Sequence, residues 1–287
     1  MHSAPDLRAT SRAEIVWWFL RLSGLALVVL AGLHLYAMHY ATAPANTDSA
    51  FVARRWSSAG WRTFDAFLLL LAVTHGLAGL ETIVRDALHT SRARAVADVV
   101  FVLLSLAAIA LGATTLAAVT HASFVDGPLD GAIWIAAALH SGLVVIATIT
   151  YAALLVLAVA LGLQLFRRKP IGWWSFSGQW AFALHRATGL GILAFLAIHL
   201  IDIALAPFAP RVYDATVASY ADPYLVPMEI ALVAAVLYHG INGIRLIVME
   251  IADRRMLPWR STAFSLVIVI TLVLLAPSVV VLVRSLP

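Results

Sequence analysis

The sequence predicts an all-α integral membrane protein with seven transmembrane helices, arranged as two parallel three-helix repeats joined by a return helix. Three observations predict this class. The 287-residue chain is 62% hydrophobic and only 12% charged, with a mean hydropathy of +0.94, whereas soluble domains carry about 25% charged residues. Several apolar runs exceed the ~20 residues that a helix needs to cross a bilayer. The third observation is an internal repeat.

Seven apolar segments are long enough to be transmembrane helices. The alternation of apolar and polar residues that a membrane β-barrel needs is absent from them, so they are predicted as helices. They cover residues 16–40, 62–88, 96–120, 131–166, 180–206, 225–251 and 262–284.

Cysteine content and charge exclude several kinds of function. The chain has no cysteine, so it holds no disulfide, no iron–sulfur cluster and no thiolate ligand of its own. Its sequence pI is near 9.8. The basic residues are scattered between the apolar segments rather than clustered on one face, so we expect no nucleic-acid partner.

The internal repeat places the same residue types at the same spacing in both halves. RLSGLALVVLAGLH (21–34) and RATGLGILAFLAIH (186–199) share an arginine, a glycine three residues later and a final histidine. HGLAGLETIVRD from His75 matches HGINGIRLIVME from His239 in the same way. Each half is therefore one three-helix unit. We place the first unit at 1–125, the linking transmembrane helix at 126–170 and the second unit at 171–287.

The segment at 131–166 has no counterpart, and the orientation of the repeats explains why. Three crossings leave the chain on the opposite side, so a second unit in the same orientation needs one extra crossing. With the N-terminus inside, fourteen of the nineteen Lys and Arg residues fall on the inner side and five on the outer side, as the positive-inside rule requires. We therefore predict a multi-pass protein of the cytoplasmic (inner) membrane, with its N-terminus inside and its C-terminus outside.

Four histidines occupy matched positions inside the predicted helices, and a histidine within a membrane is a functional candidate. At 1.5 Å per residue, His34 and His199 lie at one depth, and His75 and His239 lie roughly 10 Å deeper. Each level has one imidazole from each half, which suits the two axial ligands of a haem. Zinc fits less well because a structural zinc site needs four ligands at one point.

The glycines near these histidines have two interpretations. Gly79 and Gly243 lie one turn beyond the deeper histidines, and Gly24 and Gly189 lie on the helices that carry the other two. Glycines here allow either a flat macrocycle or a neighbouring helix to approach the backbone closely. The sequence alone leaves both interpretations open.

The histidine motifs resemble those of the membrane-anchor subunits of succinate dehydrogenase and fumarate reductase (complex II). LHRATG (184–189) is similar to the His-Arg-x-Ser/Thr-Gly motif of the larger cytochrome b anchor, and YHGINGIR (238–245) is similar to its haem-ligand helix. The first half resembles the smaller anchor, whose ligand helix has His, Gly at +4 and Asp at +11, as at His75, Gly79 and Asp86. The chain thus resembles both anchors fused in one polypeptide.

The resemblance implies a role for each matching residue. His75 and His239 match the ligands of single-haem anchors, and His34 and His199 lie where dihaem anchors place their second pair. Phe182 and Ala87 depart from the family, which has a serine and a tyrosine at these positions to help hold the quinone. The remaining roles are quinone and propionate contact for Arg186, propionate contact for His185 and proximity to quinone for Asp86. Arg21, which starts its helix at the inner side as Arg186 does, is predicted to contact a propionate or quinone or to anchor the helix at the interface.

The resemblance also implies a function. The expected protein is the haem b-containing membrane anchor of a succinate:quinone oxidoreductase, with two haems, which carries electrons between an iron–sulfur subunit and menaquinone or ubiquinone. The expected partners are that iron–sulfur subunit, a flavoprotein that contains FAD, membrane lipid and further copies of the complex.

Two rival functions remain at the level of sequence. One is the dihaem cytochrome b subunit of a formate dehydrogenase or hydrogenase, which should lack the duplicated three-helix unit. The other is a transporter, although many transporters use inverted repeats rather than parallel ones. A separate hypothesis concerns Glu81 and Arg245, which both stand six residues beyond their histidine. They are predicted to form an ion pair, and the alternative is that each reaches separately toward the inner surface.

Overall fold

The computed structural model describes residues 7–118, 177–220, 222–223, 225–252 and 258–284. Within these ranges the chain is helical and contains no strand, and the predicted linking helix at 131–166 lies outside them. The α-helices are α1 (Leu7–His39), α2 (Ser49–Ser57), α3 (Ala59–Ala87), α4 (Ser91–Ala118), α5 (Ser177–Phe208), α6 (Pro210–Ser219), α7 (Val226–Ala252) and α8 (Arg260–Arg284), with a short 3-10 helix at Pro44–Asn46.

Six of these helices are long and apolar enough to cross a membrane. Each contains well over the ~20 residues that span ~30 Å of hydrocarbon. The predicted all-helical membrane class is therefore confirmed, whereas the count of seven spans depends on 131–166 and stays a prediction. The candidate spans are Glu14–His39, Ala59–Asp86, Ser91–Ala118, Trp180–Phe208, Val226–Ala252 and Arg260–Val283.

Four long helices, α1, α3, α5 and α7, form the core of the bundle. Helix α1 packs against α3 and α7, and α5 packs against the same two helices. Each core helix therefore touches one neighbour from its own half of the sequence and one from the other half. Helices α4 and α8 pack on the outside of this core, α4 against α3 and α5, and α8 against α7 and α5.

Small residues allow the helices to approach closely. A Cβ atom on Gly112 of α4 would lie 2.2 Å from the Leu69 Cδ2 atom of α3. A Cβ atom on Gly76 of α3 would lie 2.9 Å from the Leu193 Cδ1 atom of α5. Close packing through small residues is the usual way in which membrane helices associate, because lipid offers no hydrophobic driving force between them.

Two short helices, which the sequence did not lead us to predict, cover one end of the bundle. Side chains of α2 and α6 form one buried apolar cluster with the last turns of α5. Polar contacts join the same segments, since Asp214 accepts hydrogen bonds from the Ser49 amide (2.7 Å) and hydroxyl (3.0 Å). The Tyr213 hydroxyl donates to the Thr47 carbonyl oxygen (3.0 Å). We call this the cap end of the bundle.

Candidate functional site

The four predicted histidines meet as two pairs. The ring centres of His75 and His239 lie 6.4 Å apart, with the ring planes at 89°. The ring centres of His34 and His199 lie 6.2 Å apart, with the planes at 75°. Each pair joins a helix from the first half to a helix from the second half. We call His75 and His239 the central pair, and His34 and His199, which lie nearer the cap end, the cap pair.

The spacing of both pairs fits a metal ion held between two imidazoles. Metal–imidazole bonds measure about 2.0–2.1 Å, so two rings on opposite faces of one metal have their centres about 6 Å apart. Among the described residues no group of three or more His, Asp or Glu side chains could hold a metal ion. Two imidazoles per level are the axial donor set of a haem, so the residues present fit that group.

The hydrogen bonds of the central pair leave one nitrogen of each ring free to bind a metal. The Nδ1 atom of His239 lies 3.0 Å from the His185 carbonyl oxygen, and a carbonyl oxygen only accepts, so Nδ1 carries the proton. The Ser23 hydroxyl donates to the Phe19 carbonyl oxygen (2.6 Å) and therefore accepts from the His75 Nδ1 atom (2.9 Å). In both neutral rings the unprotonated atom is Nε2, the one that can ligate.

Ser23 and Thr188 are site residues that the sequence analysis missed. Each stands two residues after the arginine of its repeat, and the Thr188 hydroxyl lies 3.4 Å from the His239 Nδ1 atom. The sequence does carry a sign of both residues, because RLSG and RATG each place a hydroxyl side chain directly before the glycine. The role of that hydroxyl follows only from the structure, in which the deeper histidine lies against this turn.

The glycines divide into two kinds in the structure. A Cβ atom on Gly189 would lie 2.8 Å from the His239 Cε1 atom, and one on Gly24 would lie 3.3 Å from the His75 Cε1 atom. These two glycines therefore let the imidazole of a neighbouring helix lie against the backbone, which agrees with the interpretation as close helix packing. A Cβ atom on Gly79 would meet no atom of the described residues within 4 Å, so within that part of the chain this face, one turn beyond His75, has room for a larger group.

His185 and Gly243 lie beside the central pair. The ring of His185 stacks on the ring of His239, with the centres 3.9 Å apart and the planes at 7°. The Nδ1 atom of His185 is buried and has no hydrogen-bond partner in the part of the chain that the structure describes. A Cβ atom on Gly243 would lie 3.7 Å from the His185 Cε1 atom. His185 thus offers an unused polar atom inside the bundle, next to a candidate ligand.

Two ion pairs join the halves at the end of the bundle opposite the cap, which we call the arginine end. Arg186 of α5 donates to Asp86 of α3 (2.6 Å). Arg21 of α1 donates through Nε to Glu250 of α7 (2.7 Å), and the Trp17 indole donates to the same carboxylate (2.8 Å). Each arginine therefore binds the helix of the other half that carries a histidine of the central pair.

Glu250 is a further residue that the sequence analysis missed. It ends the second histidine motif at the position where Asp86 ends the first, eleven residues beyond the histidine. The aromatic residues also correspond, since the Arg21 guanidinium lies 3.6 Å from the Trp17 ring centre and the Arg186 guanidinium 4.2 Å from the Phe182 ring centre.

A carboxylate lies beside the cap pair. Asp65 of α3 accepts from Arg55 through Nε and Nη2 (3.0 Å each) and from the Trp56 indole (2.8 Å), both on α2. Its Oδ1 atom lies 3.7 Å from the His34 Nδ1 atom. The corresponding acid of the second half, Glu229, instead pairs with His39 (2.9 Å).

The predicted ion pair between Glu81 and Arg245 is wrong. Glu81 accepts from Arg85 on its own helix (2.8 Å), and Arg245 donates to the Arg260 carbonyl oxygen at the start of α8 (3.1 Å). For Glu81 the nearer partner is an arginine four residues along the same helix. For Arg245 it is a carbonyl oxygen at the start of the neighbouring helix α8.

The fold and these contacts define a helical integral membrane protein that brings histidines from its two halves together at two levels. Residues 5–112 and 163–276 match the family described as the succinate dehydrogenase/fumarate reductase transmembrane subunit. The match covers more than half of the chain, and the chain belongs to this family.

Two curated relatives are similar to parts of the chain. The succinate dehydrogenase 2 membrane subunit SdhC of Mycobacterium tuberculosis is 42% identical over 73 residues, which are 25% of this chain and 54% of that protein. The succinate dehydrogenase hydrophobic membrane anchor subunit of Halobacterium salinarum is 30% identical over 81 residues, 28% of this chain and 62% of that protein. The chain thus spans a little over half the length of each relative. No solved structure matches it significantly.

Proposed function

We propose that this chain is the haem b-containing membrane anchor of a succinate:quinone oxidoreductase, and that electrons pass through it between an iron–sulfur partner and membrane quinone. Membership of the family supports the class of enzyme complex. The observation that carries the haem is the pairing of histidines from the two halves at ring separations of 6.4 and 6.2 Å. The proposed number of haems is two.

The central pair would hold one haem and the cap pair the other. A haem with two histidine ligands supplies a one-electron carrier that has no open coordination position. Ser23 and the His185 carbonyl would fix the two central rings with Nε2 facing inward. The open face at Gly79 would accept part of the macrocycle. Gly243, beside the His185 ring, would leave room for the same group.

The proposed architecture has seven spans, in two parallel three-helix units (1–125 and 171–287) joined by a linking helix (126–170). The crossed pairs Arg21–Glu250 and Arg186–Asp86 support it, because corresponding residues of the two units make corresponding contacts. We place the chain in the cytoplasmic membrane with its N-terminus inside, so the arginine end is the inner end. The C-terminus and the cap end then lie outside.

The inner end would meet the partner subunits. An iron–sulfur subunit would dock there and carry a flavoprotein with FAD, and complexes of this kind would associate further within the lipid. Arg186 and Asp86 would border the quinone, and Arg21 and His185 would lie within reach of haem propionates. Phe182 packs under the Arg186 guanidinium, so the hydroxyl that the family uses there for quinone has to come from another group.

A spectrum of the purified complex tests this function. We expect bands of haem b that appear on reduction by succinate, or disappear on oxidation by fumarate, through a copurifying partner that contains FAD. A colourless complex, without extractable porphyrin, would contradict the proposal. Haem bands that respond only to formate or hydrogen would favour the rival cytochromes.

A further inference from the structure

Asp65 is held in place from one side and faces a candidate haem ligand on the other. Its side chain is 12% exposed and that of Arg55 is 8% exposed. Three N–H groups of Arg55 and Trp56 fix the carboxylate. Helix α2 therefore delivers both donors to one acid on the neighbouring helix.

The Nδ1 atom of His34 faces Asp65. Among the described residues this buried nitrogen has no hydrogen-bond partner, and Asp65 Oδ1 lies 3.7 Å away, just beyond hydrogen-bond distance. A small rotation of the imidazole would close this gap. The central pair differs, because the oxygen atoms beside its Nδ1 atoms belong to a hydroxyl and a carbonyl, which carry no charge.

A carboxylate beside the second nitrogen of a ligating histidine fixes the ring and makes it a more basic ligand. A more basic ligand and a nearby negative charge both favour ferric over ferrous iron. Glu229, the corresponding acid of the second half, binds His39 and is not committed to His199. The effect therefore acts on one ligand of one pair.

We propose that Asp65 is a positioning residue that orients His34 and lowers the reduction potential of the haem at the cap pair relative to the haem at the central pair. This inference rests on the proposed function, since it requires haem at both pairs. The inference also assigns a role to the short helix α2. Its Arg55 and Trp56 side chains donate hydrogen bonds to Asp65 and partly neutralise the negative charge beside the His34 imidazole.

A redox titration of the haem absorbance in the purified complex tests the proposal. In Asp65→Asn we expect the lower of the two potentials to rise by a tenfold or larger change in the ferric/ferrous equilibrium, about 59 mV for one electron, with the other potential unchanged. Asp65→Glu should keep the original value. Glu229→Gln, which removes the corresponding charge beside His39, should cause less than half the shift.

Arg55→Gln provides a second variant, because Asp65→Asn could lose the haem at the cap pair altogether. Removing the guanidinium leaves the carboxylate less neutralised, so the same potential should fall. Two retained haems with unchanged potentials in both variants would overturn the role of Asp65 and leave the proposed function standing. A single haem in the unmodified complex would overturn the cap site itself, and with it this inference.

Discussion

The central pair and the cap pair have almost the same ring separation, 6.4 and 6.2 Å, but different surroundings. Uncharged oxygen atoms and close glycines hold the central imidazoles, whereas a fixed carboxylate faces His34 in the cap pair. The separation depends on where the helices cross, and the surroundings depend on single side chains. Substitutions that change whether a haem binds at a pair should therefore differ from those that change the reduction potential of that haem.

The largest effect is expected at Gly189. A Cβ atom there would lie 2.8 Å from the His239 ring, closer than such contacts occur, so Gly189→Ala should displace the imidazole and abolish the haem at the central pair. Gly24→Ala is the matched control, because the corresponding contact at His75 is 3.3 Å and needs only a small shift. The haem-to-polypeptide ratio should fall to about half in the first variant and stay near the original in the second. Equal ratios would show that the helices can separate at little cost.

Next in size is the effect of reversing charge at the arginine end. Arg21→Glu places two carboxylates together and should lower both the yield of complex and its haem content. The exchange Arg21→Glu with Glu250→Arg should recover most of this loss, since it restores an ion pair between the same helices. No recovery would mean that the contact contributes little to joining the halves.

The second ion pair at the arginine end, Arg186–Asp86, allows a comparison with Arg21–Glu250. The exchange Arg186→Glu with Asp86→Arg should also restore assembly, but not reduction of quinone, because these two residues are proposed to border the quinone. Assays of haem content and quinone reduction separate the two roles. Full quinone activity in this exchanged variant would move the quinone site elsewhere.

A smaller effect is expected from the hydroxyls of the central pair. Ser23→Ala leaves the partly buried Nδ1–H of His75 without its acceptor, which costs about 1 kcal/mol and should lower the temperature at which the haem spectrum is lost. Thr188→Val should cost less, because His239 keeps the His185 carbonyl at 3.0 Å. The opposite order of loss temperatures would contradict the assigned proton positions.

The smallest effect concerns the cap. Burial raises the pKa of the Tyr213 phenol above its ordinary value, with contributions from Asp202 and Asp214. A raised pKa in the folded state stabilises the cap fully below the ordinary value of about 10 and less as the pH rises beyond it. Tyr213→Phe should cost about 1 kcal/mol and remove this alkaline loss. Hydrogen exchange of residues 44–57 and 210–219 measures both the cost of the substitution and the loss of stability at alkaline pH. If these residues exchanged rapidly at neutral pH in the unmodified chain, the stabilising role of Tyr213 would be contradicted.

Sequence reasoning found the parts of the site that depend on periodicity. Apolar length marked the six described spans, and the repeat placed His34 with His199 and His75 with His239 because corresponding residues lie at corresponding depths. It missed Ser23, Asp65 and the paired role of Glu250. Each of these residues contacts a side chain on another helix, and a linear pattern does not say which helix faces meet.

The short helices α2 and α6 escaped prediction for a related reason. They are 9 and 10 residues long, and their apolar side chains are buried against each other and against the end of α5, with α3 and α4 beside them. The pair of Glu81 and Arg245 was predicted from correspondence alone and failed, because nearer partners were available to both. Correspondence between the two halves predicted which histidines meet, and it predicts contact partners only where the helices that carry them are adjacent.

The haem-to-polypeptide ratio of the purified complex tests the central claim most directly. We expect two haems per chain, falling to one in His75→Ala or His239→Ala and to one in His34→Ala or His199→Ala, with the potential of the remaining haem close to one of the two original values. His39→Ala, which lies at the cap end outside both pairs, should keep two. A ratio of one in the unmodified chain, or variants of one pair that lose both haems equally, would contradict two independent sites built from paired histidines.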